Sequence, residues 1–351
     1  MEADIQRQIK FFTISNSLPK IDIHAHLNGS IRKKTLLENL SQSDRNEIEK
    51  LYIKMDFPNA MNFFKISSKI LTDLKMIRKI TREMLEDWKK HNVIYLEIRT
   101  SLKGKAELFT KEEYLKTVLE EIDKFNNEND MITRLIICLD REKDLNDYED
   151  TFNIYKNFKN ENLKKLIVGI DYSGNEINEK HKYEEIIPIF EKFKNEGLKV
   201  TIHMGETENY QIFPFDKFLP DRVSHCYFLK EEHYLEILKR NIHIEVCPTC
   251  SFKITNQIDF SKIPLKNFWN KKINDINGNE IVFKNISINT DDTMLILSDI
   301  SQEYYEVGVN FKLNVEDIKN ILLNTIDNIF EKDEEVRNKL KDKVKNFYDD
   351  D

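Results

Sequence analysis

A chain of 351 residues with a formal charge of −8 lacks the basic excess of a general nucleic-acid binder, whose affinity comes from cations set against phosphates. Its 40% of apolar residues can bury a large core, and Met1 to Ser17 is too mixed in character for a signal peptide or membrane span. These bounds predict one cytoplasmic, monomeric domain over 1–351, without nucleic-acid or membrane partners.

The first predicted strand is the most informative element. In Ile21-Asp22-Ile23-His24-Ala25-His26-Leu27-Asn28-Gly29-Ser30, apolar and polar residues alternate with the period of a strand. That period puts His24 and His26 on one face, roughly 7 Å apart, where two neutral imidazoles can converge on a metal ion. Gly29 is expected to let the backbone turn sharply beneath a ligand. A pair of core histidines is the plainer alternative, which the rest of the chain has to decide.

Residues 39–73 follow, helical in spacing and rich in Phe and Met, where a lid over a barrel mouth would fall. Apolar, β-branched runs then recur, each leading into polar residues. They are 93–98 with Glu97 and Arg99, 135–139 ending at Asp140, and 166–170 ending at Asp171. Next come 198–202 running into His203 and Glu206, 222–224 into His225, 242–246 into Cys247, and 286–289 into Asp291 and Asp292. Charged segments of helical spacing, such as 111–125 and 183–193, separate most of them. An aromatic loop over 207–221 follows the fifth strand instead. Eight strands alternating with helices, polar at each carboxyl end, predict a (β/α)8 TIM barrel with a helical lid insertion after the first strand. An open doubly wound sheet would gather its ligands at one crevice. Asp349 to Asp351 form an acidic end expected to fray.

Cys138 falls inside an apolar strand, and Cys226, Cys247 and Cys250 lie near strand ends. Cys247-Pro248-Thr249-Cys250 beside His243-Ile244-Glu245 has the look of a zinc or redox motif. The order of the proline is wrong for it, the parts are too close to fold around one ion, and no second CxxC completes a four-cysteine site. The cysteines read as small, reduced residues near the barrel mouth.

Three histidines and one carboxylate at strand ends, His24, His26, His203 and Asp291, suit one Zn²⁺ per chain that keeps a water in an open position. Glu206 and His225 are left as acid–base groups beside that water, and Asp292 for substrate.

His24-Ala25-His26-Leu27-Asn28-Gly29-Ser30, Ser173-Gly174-Asn175, His203-Met204-Gly205-Glu206, Ser224-His225-Cys226, Cys247-Pro248-Thr249 and Thr290-Asp291-Asp292 resemble, in this order, the adenosine deaminase family. The resemblance implies a hydrolase in which Glu206 protonates purine N1 and His225 holds and deprotonates the water. Asp292 would bond N7, the Gly174 backbone N3, and His26 and Asp140 would also border the substrate. Asn28, where adenosine deaminases usually carry aspartate, and Tyr95-Leu96-Glu97-Ile98-Arg99-Thr100-Ser101 resemble the branch that acts on N6-methyl-AMP. Ser224 and Cys226 depart from the glycines that usually flank this histidine, Ser68 stands where that branch has a histidine, and Leu102 replaces a proline.

A purine nucleotide is therefore the expected small-molecule partner. Asn28 can donate to a 5′-phosphate that an aspartate would repel, and Thr100, Ser101 and Lys103 offer two hydroxyls and a cation nearby. The alternatives are adenosine itself, a binuclear amidohydrolase, or a non-catalytic purine-binding relative. A bridging lysine expected of the binuclear type is absent from the fourth strand end, which carries Asp171 and Ser173, and a non-catalytic relative would be expected to lack one of the site residues.

Overall fold

The computed structural model describes residues 2–347; the acidic end at 349–351 lies outside them. Eight parallel strands lie side by side in sequence order. They are β1 (Lys20–His26), β2 (Val93–Ser101), β3 (Ile132–Asp140), β4 (Ile167–Ser173), β5 (Lys199–Met204), β6 (Arg222–His225), β7 (His243–Val246) and β8 (Ile286–Ile288). Every strand expected from the sequence is present. The ring closes just past β8, where the Asp291 N–H donates to the His24 carbonyl (2.9 Å) and the His26 N–H to the Asp291 carbonyl (3.0 Å). The Ile23 N–H adds a bond to Asn289 Oδ1 at 3.1 Å.

The strands are buried on both faces, as a sheet covered by crossover helices requires. One face of β1 presents apolar Ile21, Ile23 and Ala25, all fully buried, to the surrounding core. The other face meets a charged network. Arg222 donates to Glu97 (2.5 Å) and pairs with Glu245 (2.6 Å), while Arg99 pairs with Glu245 and stands 3.5 Å from Asp171. All five side chains are fully buried. Such charges persist in a core only when paired, and removing one partner typically costs about 3–5 kcal/mol.

The helices seat themselves by local signals. Thr110 and Glu113 form a capping box at the start of helix Lys111–Glu128. Asp73 caps helix Leu74–Lys90, which buries Ile77, Ile80, Met84, Leu85 and Trp88 along one stripe. Between β1 and that helix lie helices Lys33–Glu38, Gln42–Leu51 and Phe57–Ser67 and a 3-10 turn, Ser68–Ile70. The last three fall within 39–73, the segment expected to be helical, and the first precedes it. The loop 207–221 anchors itself with Phe213 against Tyr183 and Phe218 against Phe190. An antiparallel hairpin, Lys272–Asn274 with Glu280–Val282, is an addition that no apolar run announced, because its residues are largely exposed. Among the described residues no helix is long and apolar enough to cross a membrane.

Candidate active site

The strand period brings the side chains of His24 and His26 together, with their Nε2 atoms 3.1 Å apart. The end of β5 adds His203, its Nε2 3.2 Å from that of His26. Asp291 Oδ1 stands 3.3 Å from His24 Nε2 and 3.5 Å from His26 Nε2. His225 joins the cluster: His24, His203, His225 and Asp291 each place a ligand atom within 4.8 Å of the others. The four residues expected as metal ligands are thus gathered at one end of the barrel, with the expected base beside them.

The donor chemistry fits a divalent ion. Burial, reinforced by the neighbouring cationic groups, holds His24, His203 and His225 well below the ordinary imidazole value, and His26 is lowered to about 3, mainly by burial. Neutral imidazole is the form a metal requires. Glu245 Oε2 accepts from His24 Nδ1 at 2.8 Å, and Asp171 Oδ1 accepts from His203 Nδ1 at 2.9 Å. Each bond puts the ring proton on Nδ1 and leaves the Nε2 lone pair facing the cluster, the arrangement that orients metal-binding histidines. Burial alone would raise the Glu245 carboxyl, but Arg99 and Arg222 outweigh it and hold it at about 2.

Outside the predicted set, Tyr227 decides which nitrogen of His225 is basic. The Tyr227 hydroxyl donates to the Cys247 carbonyl (3.0 Å), so it accepts from His225 Nδ1 (2.7 Å). The buried Nε2 is left with no hydrogen-bond partner among the described residues, 3.6 Å from Glu206 Oε1. Tyr227→Phe should release this tautomer and lower kcat about tenfold with little change in KM; an unchanged kcat in steady-state assays would remove Tyr227 from this role. The turn itself is strained, since His225 (φ 65°) and Cys226 (φ 61°) are both left-handed, at a cost of about 1–2 kcal/mol each. A glycine would relieve that strain. Ser224, the other departure, donates to Glu245 Oε2 at 2.5 Å, the same carboxylate that orients His24.

Glu206 follows Gly205, whose φ of +66° and close contact with Leu229, 2.7 Å from where a Cβ would sit, favour glycine. Burial first, then the charges of Glu176 and Asp291, push the Glu206 carboxyl well above its ordinary value. Asp292 is raised likewise by burial and by the charge of Asp291, and its Oδ1 is buried without a hydrogen-bond partner among the described residues. Gly29 lies in the expected turn, which the Ser30 N–H closes on the Leu27 carbonyl at 3.4 Å, and it also makes room for Asp292. Its φ is not left-handed, but a Cβ there would lie 1.7 Å from Asp292 Oδ1.

These groups open onto a cavity of about 400 Å³ bordered by His26, His203, Glu206, Asp291 and Asp292. Gly174, Asn28, Thr100, Ser101, Lys103 and Asp140 also line it. Asn28 Oδ1 is buried without a hydrogen-bond partner among the described residues. Thr100 borders the cavity, but its hydroxyl is bonded to the Tyr114 hydroxyl at 2.7 Å, toward helix Lys111–Glu128. Lys65, Ser68 and Lys143 also border the cavity, as does the carboxylate of Glu142. Neither lysine stands out in the sequence, where charged residues are a third of the chain.

Residues 19–347 match the family model described as Adenosine deaminase. The N6-mAMP deaminase of Arabidopsis thaliana is 29% identical over 284 residues, 72% of this chain and 78% of that protein. An adenosine deaminase of Clostridium perfringens is 26% identical over 342 residues, 93% and 97% of the two chains. The crystal structure of arabidopsis ADAL complexed with GMP superposes with a TM-score of 0.81 at 25% identity, covering 95% of this chain and 98% of that one.

Proposed function

This chain belongs to the adenosine deaminase family, and on that premise we propose that it is a zinc-dependent hydrolytic deaminase acting at C6 of a purine nucleoside 5′-monophosphate. N6-methyl-AMP is the first substrate, giving IMP and methylamine. The observation that carries the nucleotide part is a trio of ammonium groups, Lys65, Lys103 and Lys143, on the wall of the cavity that also holds Glu206 and Asp292. None of the three donates to a carboxylate among the described residues. Unpaired cations beside a polar cavity favour an anionic ligand, and Ser101 and Ser68 add hydroxyls to the same wall. The nucleotides in the names of the similar proteins point the same way.

His24, His26, His203 and Asp291 would hold the ion, which when bound supplies a Lewis acid that brings the pKa of water toward neutrality. His225 Nε2, neutral and unpartnered, holds the attacking water and takes its proton. Glu206, whose carboxyl is pushed up first by burial, hands its proton to N1 as C6 becomes tetrahedral. Asp292, whose carboxyl is pushed up by burial and by the charge of Asp291, donates to N7, and the Gly174 N–H bonds N3. Proton return to the departing nitrogen expels methylamine or ammonia and leaves a 6-oxo purine. Asp140 and Asn28 remain for ribose hydroxyls and the phosphate end. One ion in a single-domain monomer is part of this proposal; two tightly held ions would instead indicate a binuclear amidohydrolase.

Adenosine is the competing substrate, favoured by the Clostridium perfringens relative that matches over 93% of this chain. Assaying N6-methyl-AMP, AMP and adenosine side by side, with methylamine and ammonia release recorded, separates the two. Lys103→Ala should raise KM for the nucleotides about tenfold or more and leave that for adenosine unchanged. Adenosine as the best substrate by kcat/KM, or improved AMP turnover in Asn28→Asp, would overturn the phosphate reading.

A further inference from the structure

Glu176 touches neither the cavity nor the metal cluster, yet its carboxylate is spent on the segment that carries the proton donor. It opens the 3-10 turn Glu176–Asn178, two residues past Gly174, and is 3% exposed. Its Oε1 accepts from the Gly205 N–H at 2.9 Å, and its Oε2 accepts from the Thr207 N–H at 2.8 Å and the Thr207 hydroxyl at 3.0 Å. One buried carboxylate therefore grips the backbone N–H groups of the residues on both sides of Glu206. Its own loop is stiffened in turn, because Asn175 Oδ1 accepts from the Ile177 N–H at 3.1 Å. Gly205 is left-handed and packed against Leu229, so the turn it forms has few other ways to settle.

We propose that Glu176 is a positioning residue that sets the separation between the Gly174 N–H and the Glu206 carboxyl. On the deaminase reading, on which this inference rests, those two groups meet N3 and N1, on either side of C2 of the same ring. A donor on the loop after β4 and an acid on the loop after β5 must keep a spacing fixed by the purine, and the Glu176 clamp is a rigid link between the two loops. Misplacement of a reacting group by about 1 Å can cost about a hundredfold in rate.

A double-mutant cycle tests it on the metal-loaded protein. Glu176→Gln keeps one acceptor oxygen but turns an amide NH₂ toward an N–H donor. It should lower kcat/KM for N6-methyl-AMP about thirtyfold, with zinc content and Tm close to wild type. In a Glu206→Gln background the same change should cost no more than about twofold, because the group it positions is already gone. Equal losses in the two backgrounds, or full activity of Glu176→Gln, would overturn the inference. If Glu176→Gln does not fold, Thr207→Val removes only the hydroxyl bond and should cost about threefold in the wild-type background and nothing in Glu206→Gln, with equal losses again decisive against it. Full turnover of Glu206→Gln alone would sink the proton-donor reading rather than the clamp, so the two failures are distinguishable.

Discussion

His203→Ala and Asp291→Ala are each expected to lower kcat by more than about a thousandfold while the protein still unfolds cooperatively with barrel-like circular dichroism. The reason lies in how separate the two jobs are. His203 faces His26 Nε2 at 3.2 Å through one ring nitrogen while the other is fixed on Asp171, so alanine removes one proposed ligand and leaves the neighbouring donors in place. The fold rests on a core that runs through the strands and covering helices and does not depend on this imidazole. Asp171 loses its histidine but keeps Arg99 at 3.5 Å, which limits the cost of the orphaned charge. Chelation should reproduce the loss and added Zn²⁺ should restore turnover in the wild type alone. Near-normal activity in a sample shown to be free of metal would end this account.

The second large effect concerns the proton donor. Glu206→Gln preserves shape and hydrogen bonding but has no acidic proton to give, so kcat should fall by at least about a hundredfold while a 6-oxo nucleotide still binds. Burial, with Glu176 and Asp291, holds the wild-type carboxyl well above its ordinary value. In the proposed mechanism the working form is the protonated one, which the raised pKa favours and which is lost as pH rises through it. The wild-type rate should therefore decline on the alkaline side, and the variant should lack that limb. Turnover unchanged in Glu206→Gln would make it a structural carboxylate and send the search for a donor elsewhere.

The barrel was legible because eight apolar runs each lead into polar residues, a pattern that short-range alternation displays without any tertiary knowledge. The candidate residues were legible for the same reason: His24 and His26 share one face at the end of β1, and His203, His225 and Asp291 sit at or just past later strand ends. What supports them was not. Glu245 lies in His243-Ile244-Glu245 and, beside Cys247, reads as part of a mis-ordered zinc motif; its bond to His24 spans 221 positions and exists only once the ring has formed. Tyr227 and Glu176 act on chain segments brought near by turns whose φ values no propensity announces, among them the left-handed pair at His225 and Cys226. Thr100 shows a rule that was available. Neighbours on a strand point to opposite faces, so if Ser101 faces the cavity the Thr100 hydroxyl turns away, and it meets Tyr114.

Ring closure has a consequence of its own. β8 is three residues long, and the backbone that joins its end to β1 belongs to His24, His26 and Asp291, whose side chains face the proposed ion. Amide pairing across that seam and coordination at its rim are then linked equilibria: an ion that binds only the zipped form holds the seam shut, and any opening of the seam weakens the ion's apparent affinity. The clasp of the barrel and its cargo would tighten together. Slow escape of the ion would follow from how seldom that seam parts, with no need for unusually strong individual ligands.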